Sequence, residues 1–110
     1  MQSVSKDNID STLAALDKPA LLYFSAEWCG PCQSFKPLMN EISVARADEI
    51  DVLVIDVDEA QEASAKFGVQ GIPNVVAYVD GKVIDRFVGR KPEEEVNNFI
   101  NTTLLGQDPQ

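Results

Sequence analysis

The sequence predicts an α/β fold in a single domain, on three observations. Helix-like and strand-like segments alternate from the N-terminus in the order helix, strand, helix, strand, helix, the pattern of a parallel βαβ unit. Two apolar runs, "ALLYFSA" and "DVLVIDV", are continuous rather than alternating, as in strands buried on both faces of a sheet. "NVVAYVDGKVIDRFVG" instead holds two strand-like runs joined by Asp80-Gly81, the strongest short-range hairpin signal, so the last strands should be antiparallel.

Each element has a local reason. "SKDNIDSTLAAL" offers Ser5 or Asp7 as N-cap and sets Ile9, Leu13 and Leu16 on one helical face, with Pro19 just beyond its end. "ALLYFSA" is the first central strand. The next helix should run from about Pro31 to Arg46, with Phe35, Leu38, Met39, Ile42 and Ala45 facing inward and Pro37 placed to kink it. The β-branched run from Asp51 to Val57 makes a second central strand, and "EAQEASAKFG" a short helix stopped by Gly68. "KPEEEVNNFINTTLL" closes the domain as a helix. Pro92 suits its first turn, Glu93 to Glu95 suit its positive dipole end, and Val96, Phe99, Ile100 and Leu104 face in. The tail "GQDPQ", residues 106–110, is expected to fray.

Composition narrows the function. A chain of 110 residues, 45% hydrophobic and 25% charged, is one domain's worth of ordinary globular protein and lacks the signature of disorder. Eighteen Asp and Glu against nine Lys and Arg give a net charge of -9, which opposes phosphate backbones and anionic lipid surfaces. Neither nucleic acid nor a membrane is an expected partner. No window holds the roughly 18 apolar residues a membrane span requires, and "MQSVSKDNID" has no apolar signal core, so a cytoplasmic location is expected.

Both cysteines lie in "AEWCGPCQSF", ahead of a helix. Three readings stand side by side. A structural zinc site needs four ligands, and with two cysteines and no histidine a metal or iron-sulfur centre would have to be shared between two chains. Two inert core cysteines are the plainest reading. A reactive pair is the third: Cys29 near the N-cap and Cys32 three residues inside would meet unpaired helix N–H groups and the positive dipole end, which stabilise a thiolate. The i, i+3 spacing puts both sulfurs on one side, so an attack by Cys29 can be resolved by Cys32 within the molecule. Cys29, at the helix start, is the expected nucleophile and Cys32 the resolving cysteine.

"WCGPC" from Trp28 to Cys32, preceded by "AE" and followed five residues later by Pro37, resembles the active-site segment of thioredoxins. "VQGIPN" with Ile72-Pro73 resembles that family's cis-proline loop, "DVDE" its strand end with an aspartate at Asp58, and "FVGRK" its glycine loop at Gly89. The similarity covers residues 1–110 in order, with the N-terminal strand shortened to about Gln2 to Ser5. The resemblance implies a thioredoxin fold: a central mixed five-stranded sheet flanked by four helices, with a cis peptide at Pro73. It also implies a substrate-binding surface of Trp28, Gly30, Pro31, Gly71, Ile72, Pro73 and Gly89, with Asp58 as the acceptor for the Trp28 indole. The activity implied is reduction of protein disulfides by the Cys29/Cys32 dithiol, with no cofactor beyond that redox-active disulfide. The partners implied are disulfide-containing client proteins and an NADPH-dependent thioredoxin reductase, the chain itself acting as a monomer. The Gly-Pro dipeptide resembles that of the family's reducing members.

Two positions depart from the family pattern. Tyr23 stands where typical thioredoxins carry a buried aspartate behind the second cysteine, and Val54 where they carry the accompanying lysine. Losing both is coherent, since either charge alone would be buried uncompensated. The exchange is either a benign core replacement, the tyrosine hydroxyl finding a partner, or a change in the chemistry at Cys32. Gln33 replaces a common lysine and removes a positive charge beside the nucleophile. A specialised donor or isomerase not recycled by a general reductase, and a binding scaffold with the same fold, are the rival readings.

Overall fold

A computed structural model describes residues 1–106. The elements follow in the order β1 (Gln2–Val4), α1 (Ile9–Ala14), β2 (Ala20–Ser25), α2 (Gly30–Ala45), β3 (Asp51–Asp56), α3 (Gln61–Lys66), β4 (Asn74–Val79), β5 (Lys82–Val88) and α4 (Glu93–Thr103). The strands form one sheet in the order β1-β3-β2-β4-β5. β1 and β2 pair with β3 in parallel, whereas β2 with β4 and β4 with β5 are antiparallel. This is the mixed five-stranded sheet with four helices that the resemblance implied.

β2 lies at the centre of the sheet, and all six of its residues are buried, which explains its unbroken apolar run. Its alternate side chains feed two cores. Leu21 and Tyr23 join Phe35, Met39 and Ile42 of α2 and Val96 and Ile100 of α4 on one face. Leu22 and Phe24 join Ile9, Leu53, Ile55 and Val76 on the face covered by α1 and α3. Aromatic edges knit the first core: Tyr23 to Phe35 at 6.0 Å, Phe35 to Phe87 at 6.3 Å, and Phe87 to Phe99 at 4.9 Å between ring centroids.

The β4–β5 connection is the tight hairpin expected. Asp80 and Gly81 both take positive φ, 51° and 79°, as a two-residue turn of the primed type requires. Gly68, at φ 70°, lies two residues past the end of α3, as expected of a helix stop.

Three local expectations shift. The first helix starts at Ile9 rather than directly after Ser5 or Asp7, with Asn8 at the cap position and no side-chain cap bond. Ser5 and Asn8 instead bridge the preceding turn: Ser5 Oγ accepts from the Asp7 N–H at 3.3 Å, and Asn8 Oδ1 from the Ser5 N–H at 2.8 Å. Ala45, expected to face inward, is exposed at the last residue of α2, where the contact with α4 is made instead by the Arg46 guanidinium, which donates to Asn97 Oδ1 and Asn101 Oδ1. β1 and β3 each end one residue early. Apart from Gly106, the tail expected to fray lies outside the described residues.

Candidate active site

The site begins where β2 ends. After Ser25 the chain turns through Ala26, whose carbonyl accepts from the Cys29 N–H at 3.2 Å and from Gln33 Nε2 at 2.9 Å. Gln33 thus fastens the turn ahead of the motif, a role its missing charge did not suggest. Cys29 is then the N-cap of the 16-residue α2, in extended conformation, with Gly30 opening the helix and Pro31 next, where no N–H is needed.

The Cys29 side chain is itself the cap. Its Sγ accepts from the Cys32 N–H at 3.2 Å, so one of the helix's free donors points at sulfur. Cys29 and Cys32 are joined as a disulfide, with Cα atoms 5.2 Å apart. Cys32 is fully buried and Cys29 is 6% exposed, so Cys29 is the sulfur nearer solvent, as its position in the helix predicted.

The loop from α3 to β4 faces this pair. The Ile72-Pro73 peptide is cis, and the Ile72 carbonyl oxygen lies 4.0 Å from Cys29 Sγ. Gly71 and Ile72 are half-buried and Pro73 is buried. Gly71 is tightly placed: a Cβ there would meet Val88 Cγ1 at 3.1 Å, so that side chain would have to give by a few tenths of an ångström. Gly89, at φ 93°, bends the chain after β5 and donates its N–H to the Pro73 carbonyl at 2.9 Å. Next to it, Arg90 Nη1 donates to Ser34 Oγ at 3.0 Å, and Ser34 Oγ to the Pro31 carbonyl at 3.2 Å. The glycine loop is thereby tied to the first turns of α2.

Trp28 is 70% exposed, and its Nε1 donates to Asp58 Oδ2 at 2.7 Å. Asp58 lies in the turn after β3, held by Asp56 Oδ1, which accepts from the Asp58 N–H at 2.8 Å. Trp28, Pro31 and Ile72 therefore rim the cysteines. Two residues at this rim were not singled out from the sequence. Val88, 55% exposed, is one, because strand alternation cannot say which edge residue a neighbouring loop will approach. Asn74 is the other, a buried amide at the head of an otherwise apolar strand, and that polar break was its only signal.

Tyr23 and Val54 face each other across β2 and β3 in the core beside α2. Tyr23 is fully buried, and its hydroxyl donates to the Cys32 carbonyl at 2.6 Å. Burial raises its pKa to about 12. Among the described residues no group of three or more His, Cys, Asp or Glu side chains is placed to hold a metal. No described helix is long and apolar enough to cross a membrane.

The thioredoxin family model matches residues 1–102. The chain belongs to the thioredoxin family. It is 40% identical to the thioredoxin of Bacillus subtilis (strain 168) over 81 residues, covering 74% of this chain and 78% of that protein. With the thioredoxin of Rhodospirillum rubrum it shares 31% identity over 104 residues, 94% of this chain and all of the relative. Chloroplastic thioredoxin Y2 of Arabidopsis thaliana is 36% identical over 98 residues, 89% of this chain and 59% of that longer protein. As a thioredoxin, the chain is a thiol-disulfide oxidoreductase whose redox-active pair is Cys29 and Cys32. The family acts on disulfide-containing substrates, needs no bound cofactor, and has thioredoxin reductase as its usual reductant.

Proposed function

We propose that this thioredoxin is a general reductant of protein disulfides, with Cys29 as nucleophile and Cys32 as resolving cysteine. The observation that carries the assignment is the Cys32 N–H aimed at Cys29 Sγ at the start of α2, a donor that would stabilise a thiolate on Cys29 once the pair is reduced. In the dithiol form the Cys29 thiolate attacks one sulfur of a client disulfide. A Cys29–client bond forms and the other client sulfur leaves as thiolate. Cys32 then loses its proton and attacks Cys29 Sγ, releasing the second client thiolate and leaving the Cys29–Cys32 disulfide. Two electrons pass to the client, and an NADPH-dependent thioredoxin reductase returns them to the pair.

Trp28, Gly30, Pro31, Gly71, Ile72, Pro73 and Gly89 form the docking surface in this reading. The exposed Trp28 and Pro31 supply apolar contact, and the Ile72 carbonyl beside Cys29 supplies an acceptor for the N–H of an extended client segment. Gly71, Pro73 and Gly89 act through backbone shape. A backbone-read client segment makes side-chain selectivity low, which suits many clients. Both cysteines and the whole surface lie on one chain, which suits a protein that works as a monomer. A return to the dithiol after each turnover suits a reducing compartment such as the cytoplasm.

Tyr23 and Val54 favour one second reading, a specialised donor whose altered centre a general reductase does not recycle. Insulin reduction with and without NADPH and thioredoxin reductase separates the two. Turnover in the enzymatic system supports the general reductant. Turnover with dithiothreitol alone supports the specialised donor, and none in either points to a scaffold.

A further inference from the structure

We infer that Asn74 is a positioning residue that sets how the Ile72 carbonyl receives a client strand, an inference that rests on the docking role proposed for Ile72. Asn74 opens β4, directly after the cis peptide, and is 1% exposed. Its Nδ2 donates to the Gly71 carbonyl at 3.1 Å, so the amide reaches back over the loop and holds the peptide on the N-terminal side of Ile72. The backbone of Asn74 is itself fixed between Phe24 of β2 and Val88 of β5. A rigid sheet position is thereby coupled to the loop from its Gly71 side, as the bond from the Gly89 N–H to the Pro73 carbonyl at 2.9 Å couples it on the other. Ile72 lies between the two anchored carbonyls, and its own carbonyl faces Cys29 Sγ.

The chemistry of the residue supports a role in the loop rather than in stability. Asn74 Oδ1 is buried without a hydrogen-bond partner among the described residues, which costs stability that an apolar side chain of the same size would not. At the head of the run "NVVAYV", the side-chain hydrogen bond this amide makes among the described residues is the one from its Nδ2 to the Gly71 carbonyl. That bond fixes the plane of the Gly71–Ile72 peptide on one side of Ile72 while Gly89 holds the Pro73 carbonyl on the other, and between the two anchors the Ile72 carbonyl keeps one orientation toward a client N–H.

The test couples a protein substitution to a client substitution. A disulfide-bonded peptide and the same peptide N-methylated at the residues flanking its attacked cysteine are reduced by wild type and by Asn74→Leu. On wild type, methylation should lower kcat/KM on the order of fivefold, the worth of one hydrogen bond. In Asn74→Leu the KM for the unmethylated peptide should rise by about the same factor with kcat held, and the methylation penalty should shrink toward none. A penalty on wild type that persists undiminished in Asn74→Leu overturns the role of Asn74 while leaving Ile72 as the docking group. No penalty on wild type overturns the docking role and the inference with it. If Asn74→Leu does not fold, Asn74→Ala carries the same comparison.

Discussion

The Tyr23 hydroxyl donates to the Cys32 carbonyl oxygen across 2.6 Å in a fully buried setting. It binds the backbone of Cys32, the cysteine proposed to resolve, not its sulfur, and with a pKa of about 12 it stays protonated at neutral pH. The position behind the second cysteine therefore holds a structural strut and no base. Val54, the residue across from it in β3, adds apolar packing in place of a charge.

The first prediction concerns that absence of a base. Tyr23→Phe should leave the rate of resolution by Cys32 unchanged between pH 6 and 9, while costing about 1 kcal/mol of stability from the lost hydrogen bond. Tyr23→Asp should instead change the shape of that pH profile, speeding resolution at the neutral end where the Cys32 thiolate is scarce, since a buried carboxylate behind Cys32 can take its proton. Stopped-flow reduction of a model disulfide reads both. Identical profiles for wild type and Tyr23→Asp would remove Tyr23 from any account of the mechanism.

Tyr23 also predicts an alkaline limit on stability. Its pKa is raised from 10.0 to about 12 in the folded state, so the folded protein holds this proton more tightly than the unfolded chain does. The stabilisation is fully present below pH 10 and is lost as pH climbs through 12. Urea unfolding at stepped alkaline pH should show that loss in wild type and a shallower one in Tyr23→Phe.

The Gly71–Val88 contact yields a third. Gly71→Ala places a Cβ 3.1 Å from Val88 Cγ1, and Val88 is exposed enough to give way. The cost should sit near the low end of overpacking, about 1 kcal/mol. Val88→Ala in the same chain should recover most of it. Thermal unfolding of the two single variants and the double variant measures the coupling.

Trp28 is the only tryptophan, so its fluorescence reports the site directly. Asp58→Ala removes the acceptor 2.7 Å from its Nε1. The indole should become more mobile, seen as lower fluorescence anisotropy, and the KM for protein disulfides should rise severalfold. Stability should change by no more than about 1 kcal/mol, because the bond is exposed to water.

Much of this was legible in the sequence because the signals were local. Continuous apolar runs gave β2 and β3, Asp80-Gly81 gave the hairpin, and the i, i+3 cysteines at a strand-to-helix junction gave the redox pair. The cis peptide at Pro73 was legible only through resemblance, since nothing in the spacing distinguishes a cis proline from a trans one. What stayed hidden depends on contacts distant in the chain. Tyr23 could be placed behind Cys32, but its choice of the carbonyl over the sulfur is set by how α2 packs on β2. Gln33 read as a missing charge and proved to be a tether to Ala26. Val88 and Asn74 acquire their roles only because a loop more than a dozen residues from Val88, and immediately ahead of Asn74, folds over them.

The central claim is that Cys29 attacks and Cys32 resolves. Incubating reduced Cys32→Ser and reduced Cys29→Ser with a disulfide-bonded client, then locating the cross-link by mass spectrometry, tests it most directly. The account predicts a stable mixed disulfide between Cys29 and the client in Cys32→Ser, and little or none in Cys29→Ser. A cross-link that accumulates mainly on Cys32 in Cys29→Ser would contradict it.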